Sequence, residues 1–566
     1  MKFLIGQINT TPCDFKGNLA QILEGVRQAG ESDCKLVVFP EMSIPGYLSQ
    51  DLMFDHAFVE RNYECVGQIR DLSKTYPDLR IIVGCVDRNT KGTGKPFWNM
   101  ALLIHNGFIM GRYKKQLLPF YDVFDEGRYF EPGKDTTVFF IDDIKFGITI
   151  CEDIWNDKEQ KDHNYPDDPV QQYCDLKIDC LINISSSPYS KDKPFKRQQM
   201  VDRISKNFPF GIIYVNQVGG QDELVFDGCS TYAQYGDRSF PHVREIMSAN
   251  SDSAPYYRLL ELNPEQPFVD TRDIVRHSMR YVKDMLVMGL RDYLNKSGFK
   301  SVVLGSSGGI DSALVACLAA EAIGPENVHC IMLPSVYSSD HSLSDAKELH
   351  KNMGCHEYEV PIMHQPVVDN LVNKFIESGG NDNQIGYNKV ADENIQARIR
   401  GSYIMWFSNA TGALTLTTGN KTELAIGYFT LYGDGCGGFA PICDLYKMDV
   451  YAIAKEFYRH WIPENIITKE PSAELAEGQF DENELPPYFV LDKMVEEYVE
   501  RNVHTFEGFM SKNPNVTNLT EEDYNKTIRR IDLNEFKRRQ LAPGTKISKK
   551  SFGIGRRIPI VKGHKV

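Results

Sequence analysis

Between Ser301 and Gly324 the chain reads SVVLGSSGGIDSALVACLAAEAIG, and few architectures accept such a string. A short aliphatic run passes through a turn of glycine and serine straight into an alanine-rich segment of strong helix formers. That is a buried strand feeding a helix that packs back on it, the repeating unit of a parallel α/β sheet. A helix over His277 to Leu294 precedes it, the helix itself is read over Ala313 to Ile323, and VHCIML and ALTLTT supply further strands. The C-terminal half therefore reads as a doubly wound parallel sheet.

The turn carries chemistry as well as topology. Gly305, Gly308 and Gly309 let the backbone approach a phosphate closely, Ser306, Ser307 and Ser312 add hydroxyl donors with Ile310 between them, and the dipole of the helix that follows favours an anion. No GxxxxGK[ST] string exists and no GxGxxG occurs here, so neither a Walker loop nor a dinucleotide fingerprint explains it. Asp311 is placed to hold Mg2+ against a phosphate; the plainer alternative is a helix cap.

The N-terminal half has a different texture. KFLIGQIN, KLVVFP, RIIVGCVD, MALLIH, TVFFI, KFGITI, CLINI and GIIYVN alternate with amphipathic segments such as Asn18 to Gly30, which predicts an α/β sandwich over residues 1–245. Residues 246–270, rich in Ser, Pro and Asn, read as a linker to a second domain over 271–566. Three strings place reactive groups where strands end: KLVVFPEMSIPGY carries Glu41, GRYKKQLLPFYDVFDEGRYF carries Lys115, and FGITICEDIW carries Cys151. A thiol to attack an amide carbonyl, a carboxylate to move the proton and an ammonium to stabilise the oxyanion form a workable acyl-transfer set. Taken singly, each has a bland reading as core cysteine, cap or solvated charge.

Composition removes other classes. With 566 residues the chain needs more than one core, and its net charge of −14 disfavours nucleic acid and anionic membrane as partners. No apolar run reaches the length of about 18 residues that a membrane span needs. MKFLIGQINT reads as a first strand rather than a leader. Thirteen scattered cysteines without metal-ligand spacing indicate reduced thiols and a cytoplasmic setting. From Lys537 to Val566 there are ten Lys or Arg residues and no acid, interleaved with Phe552, Ile554, Ile558 and Ile560, so this basic segment is expected to fold against the body.

The three N-terminal strings, in that order, resemble the nitrilase superfamily, whose catalytic set is Glu-Lys-Cys, and within it the glutaminase domains of NAD+ synthetases. The resemblance implies an αββα sandwich in which Tyr121, Ser187 and Lys193 hold glutamine and Glu126 supports the triad as a second carboxylate. Phe120 and Asp122 stand where that family has Asn and Gly. SGGIDS resembles the PP-loop of ATP pyrophosphatases, an adenine nucleotide alpha hydrolase-like fold. LPSVYSSDHSLSDAKEL, ENIQARIRGSYIM, TTGNKTELAIGYFTLYGDGCGGFAPICDLYK, EPSAELAEGQFDE and FKRRQ are similar to the NAD+ synthetase family. By that resemblance Thr418, Lys447 and Ser472 join Gly305 to Ser312 at ATP, Asp311 and Glu423 hold Mg2+, and Asn394, Arg398, Glu423 and Lys537 bind deamido-NAD+.

The implied activity is ATP-dependent amidation of deamido-NAD+, with ammonia drawn from glutamine on the same chain; the implied cofactor is Mg2+ and the implied assembly a homo-oligomer. Two alternatives stand beside it: another PP-loop glutamine amidotransferase, for example one acting on xanthosine monophosphate, and a non-catalytic scaffold.

Overall fold

In the computed structural model, all residues are described except 157–164, 235–241, 249–255, 262–278, 380–387, 473, 477–478, 480, 482–484 and 564–566. The chain divides into two compact units, Met1–His277 and Ser278–Val566.

In the first unit, strands alternate between core and cover. Strand β1 (Lys2–Gln7), β2 (Leu36–Val38) and β3 (Arg80–Arg88) run parallel, and β4 (Phe97–His105) and β5 (Phe108–Lys114) continue the sheet antiparallel. A second sheet is built from β6 (Val138–Ile141), β7 (Ile144–Ile150), β8 (Cys180–Ser185), β9 (Gly211–Asn216), β10 (Val218–Gln221) and β11 (Leu224–Gln234), with β12 (His242–Ser248) paired to β11. Period-two alternation sorts the side chains: Phe3, Ile5, Leu36 and Val38 meet Ile148, Ile150, Ile182 and Ile184 between the sheets. Leu4, Val37, Ile81 and Val83 turn outward under the helices Phe15–Glu31 and His56–Ser73. Met200, Val201 and Ile204 of the helix Lys193–Asn207 cover the other side. The result is the expected αββα sandwich.

One boundary is corrected. The span 246–270, read as a linker, contributes β13 (Tyr256–Glu261), which pairs antiparallel with β1 from Gln7↔Tyr256 to Lys2↔Glu261. Its YYRLLE run is a strand pattern hidden between polar flanks. Similarly, β11 was not legible because Gly228 and a register shift at Gly228/Ser230 interrupt its alternation.

The second unit holds a four-stranded parallel sheet: β14 (Val302–Gly305), β15 (Val328–Met332), β16 (His356–Glu359) and β17 (Leu414–Thr415), in the order β16-β15-β14-β17. The chain leaves β14 in one direction and later returns to its other side, so the strand order reverses between β14 and β17. Ligands in open α/β sheets bind outside the carboxyl ends of the strands at such a reversal. Here the two loops at that point are Ser306–Gly309 after β14 and Leu416–Asn420 after β17. The helix after β14 spans Ile310–Ile323, three residues longer at its start than the sequence reading, and the preceding helix is Met279–Ser297, His277 lying outside the described residues. A separate helical core gathers Tyr488, Leu491, Met494, Phe509, Tyr524 and Ile528. No described helix is long and apolar enough to cross a membrane.

Candidate active sites

In the first unit, the ends of β2, β5 and β7 deliver Glu41, Lys115 and Cys151 to one buried point. Lys115 Nζ lies 2.7 Å from Glu41 Oε1 and 2.8 Å from Glu126 Oε1. Glu41 also accepts from Asn99 Nδ2 at 2.7 Å and from the Ser186 amide at 2.9 Å, and Glu126 accepts from Tyr47 OH at 2.8 Å. The second Glu126 oxygen is buried without a hydrogen-bond partner. Gly84 permits the approach of the Glu41 turn, because a Cβ there would sit 2.3 Å from the Met42 amide nitrogen.

Cys151 leaves β7 with φ of 42°, a left-handed conformation that is unusual for a non-glycine residue and marks a site worth its strain. Burial pushes its thiol well above the usual range; the Glu41 charge adds to this and the Lys115 ammonium opposes it. Burial would lower the Lys115 ammonium, but Glu126 and Glu41 outweigh it and hold the lysine charged. Burial also pushes Glu126 up to about 7, against the pull of Lys115. Cys151 thus rests as a neutral thiol beside an ion cluster.

Asp153, two residues on, locks this geometry. Its carboxylate accepts from the amides of Gln116 (3.0 Å) and Leu117 (2.8 Å), which follow Lys115, and from the Ile150 amide (2.9 Å) and Tyr113 OH (2.8 Å). Glu152 accepts from Tyr121 OH at 3.0 Å and from Tyr165 OH at 2.9 Å. Lys193 Nζ lies 4.1 Å over the Trp155 ring, its pKa lowered by burial and partly restored by Glu152. Ser187 is fixed by Asn216, its amide donating to Oδ1 at 2.8 Å. Asn99, Tyr47, Ser186 and Asn216 were not read from the sequence; a lone Asn or Tyr inside a strand pattern carries no signal of its partner.

In the second unit, Gly308 has φ of 76°, and a Cβ on it would lie 2.3 Å from the Ser342 carbonyl oxygen, so only glycine fits. Ser307 and Ser312 close the turn on itself: the Ser307 amide donates to Ser312 Oγ at 3.3 Å, and the Gly309 amide to Ser307 Oγ at 3.2 Å. The Ser306 hydroxyl lies 2.9 Å from His350 Nε2. Gly309, not Asp311, is the N-cap, which sets aside the capping reading. Asp311 in the first helical turn accepts from Asn420 Nδ2 at 2.9 Å and pairs with Lys447 Nζ, which also lies 3.1 Å from Glu423 Oε1. Glu423 forms a capping box with Asn420 at the start of the helix Lys421–Ile426. Burial pushes Glu423 up to about 7, opposed by Lys447 and reinforced by Asp311. The two carboxylates converge on one cation and remain partly open, 17% and 16% exposed. Such a pair suits Mg2+, which takes one or two carboxylates and completes its shell with phosphates and water.

Thr418 lies half-buried in the loop after β17. Ser472 lines a cavity of about 850 Å³ with Tyr337, Ser339, Asp345, Lys469 and Glu474. Asn394, Arg398 and Lys537 gather on one loop: Asn394 Oδ1 accepts from Thr430 Oγ1 at 2.6 Å, Arg398 Nε donates to Leu431 O at 3.3 Å, and Lys537 Nζ donates to Gly427 O and Phe429 O at 2.9 Å each. The basic segment folds back as expected. Asp444 accepts from the amides of Ile547 (2.8 Å) and Ser548 (2.7 Å), while Arg538 and Arg556 are buried.

An amide-hydrolysing unit and a PP-loop unit thus share one chain. Residues 5–232 match the carbon-nitrogen hydrolase family and residues 282–541 the NAD synthase family. The chain is 37% identical to the glutamine-dependent NAD(+) synthetase of Thermotoga maritima, covering 100% of this chain and 99% of that protein. It is also 37% identical to that of Synechocystis sp., over 99% and 98%. A solved glutamine-dependent NAD+ synthetase from Acinetobacter baumannii, in complex with ADP, is 34% identical and superposes with a TM-score of 0.70 over 99% of this chain and 98% of its own. A Cytophaga hutchinsonii structure of the same name, at 21% identity and a TM-score of 0.78 over 100% and 98%, shares the fold. The chain belongs to the glutamine-dependent NAD+ synthetase family, and is a ligase.

Proposed function

We propose that the first unit hydrolyses glutamine and the second spends ATP to convert deamido-NAD+ to NAD+. The observation that carries this is the coexistence, on one chain, of the buried Glu41–Lys115–Glu126 cluster beside Cys151 and of the Gly305–Ser312 turn beside Asp311, Glu423 and Lys447. Glu41 accepts the thiol proton as Cys151 attacks the glutamine amide carbon, and Lys115 opposes the growing negative charge. Glu41 then returns the proton to the departing ammonia, and water frees glutamate from the thioester. Glu152, with Tyr121, offers an anion to the substrate's ammonium, and Ser187 and Lys193 border the same pocket.

In the second unit, the nicotinate carboxylate attacks the α-phosphorus of ATP, releasing pyrophosphate and leaving an acyl-adenylate that ammonia opens to the amide and AMP. The turn from Gly305 to Ser312 cradles phosphate, and Thr418, Lys447 and Ser472 border the nucleotide. Asp311 and Glu423 would hold Mg2+, which supplies charge neutralisation for the pyrophosphate. Asn394, Arg398 and Lys537 face deamido-NAD+. Thirteen free cysteines support a reducing, cytoplasmic setting. Met363, Val367, Leu371 and Phe375, with Tyr403 and Trp406, expose an apolar face on two adjacent helices that supports pairing with a second copy.

The test incubates the protein with ATP, glutamine and deamido-NAD+ and quantifies products. NAD+, glutamate, AMP and pyrophosphate in equal amounts are expected. ADP with phosphate, or amidation of xanthosine monophosphate instead, would replace this reading.

A further inference from the structure

Cys330 on β15 and Cys355, in the turn before β16, bring their sulfurs to 3.8 Å, on two chain segments whose strands pair in parallel. Cys330 is buried, whereas Cys355 is partly open. The same turn is tied to the nucleotide loop. Cys355 Sγ lies 3.9 Å from the His350 carbonyl oxygen, and the His350 ring is held on both sides, Nδ1 at 3.0 Å from Glu357 Oε2 and Nε2 at 2.9 Å from Ser306 Oγ. Ser306 is the first residue after β14, and its amide donates to Ile331 O, next to Cys330, at 2.9 Å. Two thiols in contact therefore adjoin, through the His350 carbonyl and Ile331, both partners of the His350–Ser306 bond at the entry to the phosphate-binding turn.

We propose that Cys330 and Cys355 are a reversible thiol–disulfide site, open to peroxide, whose closure displaces His350 and weakens ATP use by the second unit. A disulfide bond is about 2.05 Å, so closure draws the sulfurs together by nearly half their separation. The half-open turn must yield, because β15 is an inner strand paired on both sides. The turn carries His350 at the end of the helix Asp340–Met353, so movement there lengthens the bond to Ser306.

The chemistry balances with peroxide as oxidant. The Cys355 thiolate attacks one peroxide oxygen, the O–O bond breaks, and hydroxide takes the released proton to leave as water, giving a sulfenic acid. Cys330 sulfur then attacks Cys355 sulfur; the S–S bond forms, the S–O bond breaks, and a second water leaves with the Cys330 proton. Two thiols lose two electrons to one peroxide. Cys355 suits the first step, since the hydrogen bond shared with Cys330 holds its thiol below the usual range while burial opposes this.

The coupling to ATP rests on the proposed synthetase reading, so the experiment separates the two. The full-length protein is treated with hydrogen peroxide, and its peptides are mapped by mass spectrometry without reduction. Synthesis is then assayed with ammonium chloride as nitrogen source, which bypasses the oxidisable Cys151. The expected result is a 330–355 linked peptide, a loss of tenfold or more in kcat/KM for ATP, and recovery on adding dithiothreitol. Cys355→Ser should make NAD+ at the parental rate before treatment and resist peroxide. Absence of the linked peptide, an unchanged ATP response in the linked protein, or equal loss in Cys355→Ser overturns the proposal. Failure of the untreated parent to make NAD+ would instead fall on the synthetase reading, and peptide mapping would still decide the disulfide.

Discussion

Replacing Asp153 by Asn tests whether the glutaminase geometry is held from behind. One carboxylate oxygen accepts from the Gln116 and Leu117 amides and the other from the Ile150 amide and Tyr113 OH. An amide can keep one of these pairs. If its oxygen stays with Gln116 and Leu117, its NH2 faces the Ile150 N–H, one residue before Cys151, and Tyr113 must turn its hydroxyl to accept. One buried backbone donor is orphaned, costing about 1–3 kcal/mol, and two charge-assisted bonds become neutral, losing about 1 kcal/mol each. Against this, burial pushes the Asp153 carboxyl up to about 6. Its ionised form therefore costs about 3 kcal/mol at neutral pH, which the amide does not incur. That figure already contains the charge assistance of the bonds, so only the orphaned donor counts against it, and the sum lies between no change and a stabilisation of about 2 kcal/mol, a few degrees in Tm at most for a unit of this size.

The catalytic effect should be far larger than the thermal one. The lost bond lies beside Cys151 and the weakened bonds hold the turn after Lys115, and a misplacement of about 1 Å between reacting groups costs about 100-fold in rate. We expect kcat/KM for glutamine hydrolysis to fall about 100-fold while ammonium-driven NAD+ synthesis is unchanged, the second unit serving as internal control. Hydrolysis within twofold of the parent in a folded protein would refute the argument. Equal loss of both activities would show that Asp153 stabilises the chain rather than the site.

Cys151→Ala should abolish glutamine-dependent synthesis and spare synthesis from ammonium salts; parallel loss of both, measured side by side, would make Cys151 structural. For Glu126, the native carboxyl takes up a proton as pH falls through about 7, whereas the unfolded chain does so only near its ordinary value. Its contribution to stability is thus full below that ordinary value and lost as pH rises through about 7, so the parent's urea midpoint should climb between pH 8 and pH 5 more steeply than that of Glu126→Gln, and equal slopes would exclude the buried pair as the cause. Lys537→Ala removes two hydrogen bonds from a charged donor; KM for deamido-NAD+ should rise about tenfold or more while KM for glutamine holds, and equal changes in both would place Lys537 outside that site.

Residues that act through their own chain neighbours were legible in the sequence. Cys151 follows β7 directly and Asp311 lies in the first turn of the helix after the glycine turn of β14, so the local pattern announces both the group and the direction in which it is carried. Short apolar runs rich in Val, Ile and Phe likewise revealed β1 to β4 and β6 to β9. Partners brought in from afar were not legible. Asn99 lies 58 residues from Glu41, and its amide has no pattern to distinguish it within β4. Ser306 shows the same limit, because its neighbours suggest a phosphate donor while His350, 44 residues later, engages its hydroxyl. The strand β13 was missed because its six residues lie between flanks rich in Ser, Pro and Asn, so the stretch as a whole reads as a polar connector.

Both units use a buried lysine between two carboxylates, and exposure decides what each arrangement can do. Lys115, Glu41 and Glu126 are sealed, at 1% exposure or less, so their charges cannot be exchanged for solvent ions. Glu126, pushed up to about 7 by burial, takes up or gives up a proton near neutral pH, so the cluster beside Cys151 lies between neutral and one net negative charge. Burial first, and the Glu41 charge second, hold Cys151 as a neutral thiol against the pull of Lys115. Asp311 and Glu423 around Lys447 are partly open, and Asp311 stands in the first turn of the helix that follows the glycine turn. Anionic phosphates meeting two carboxylates require added positive charge, and the ammonium alone does not balance it. A divalent ion held by Asp311 and Glu423 would satisfy that need, whereas at the sealed site the only charge that can move is a proton.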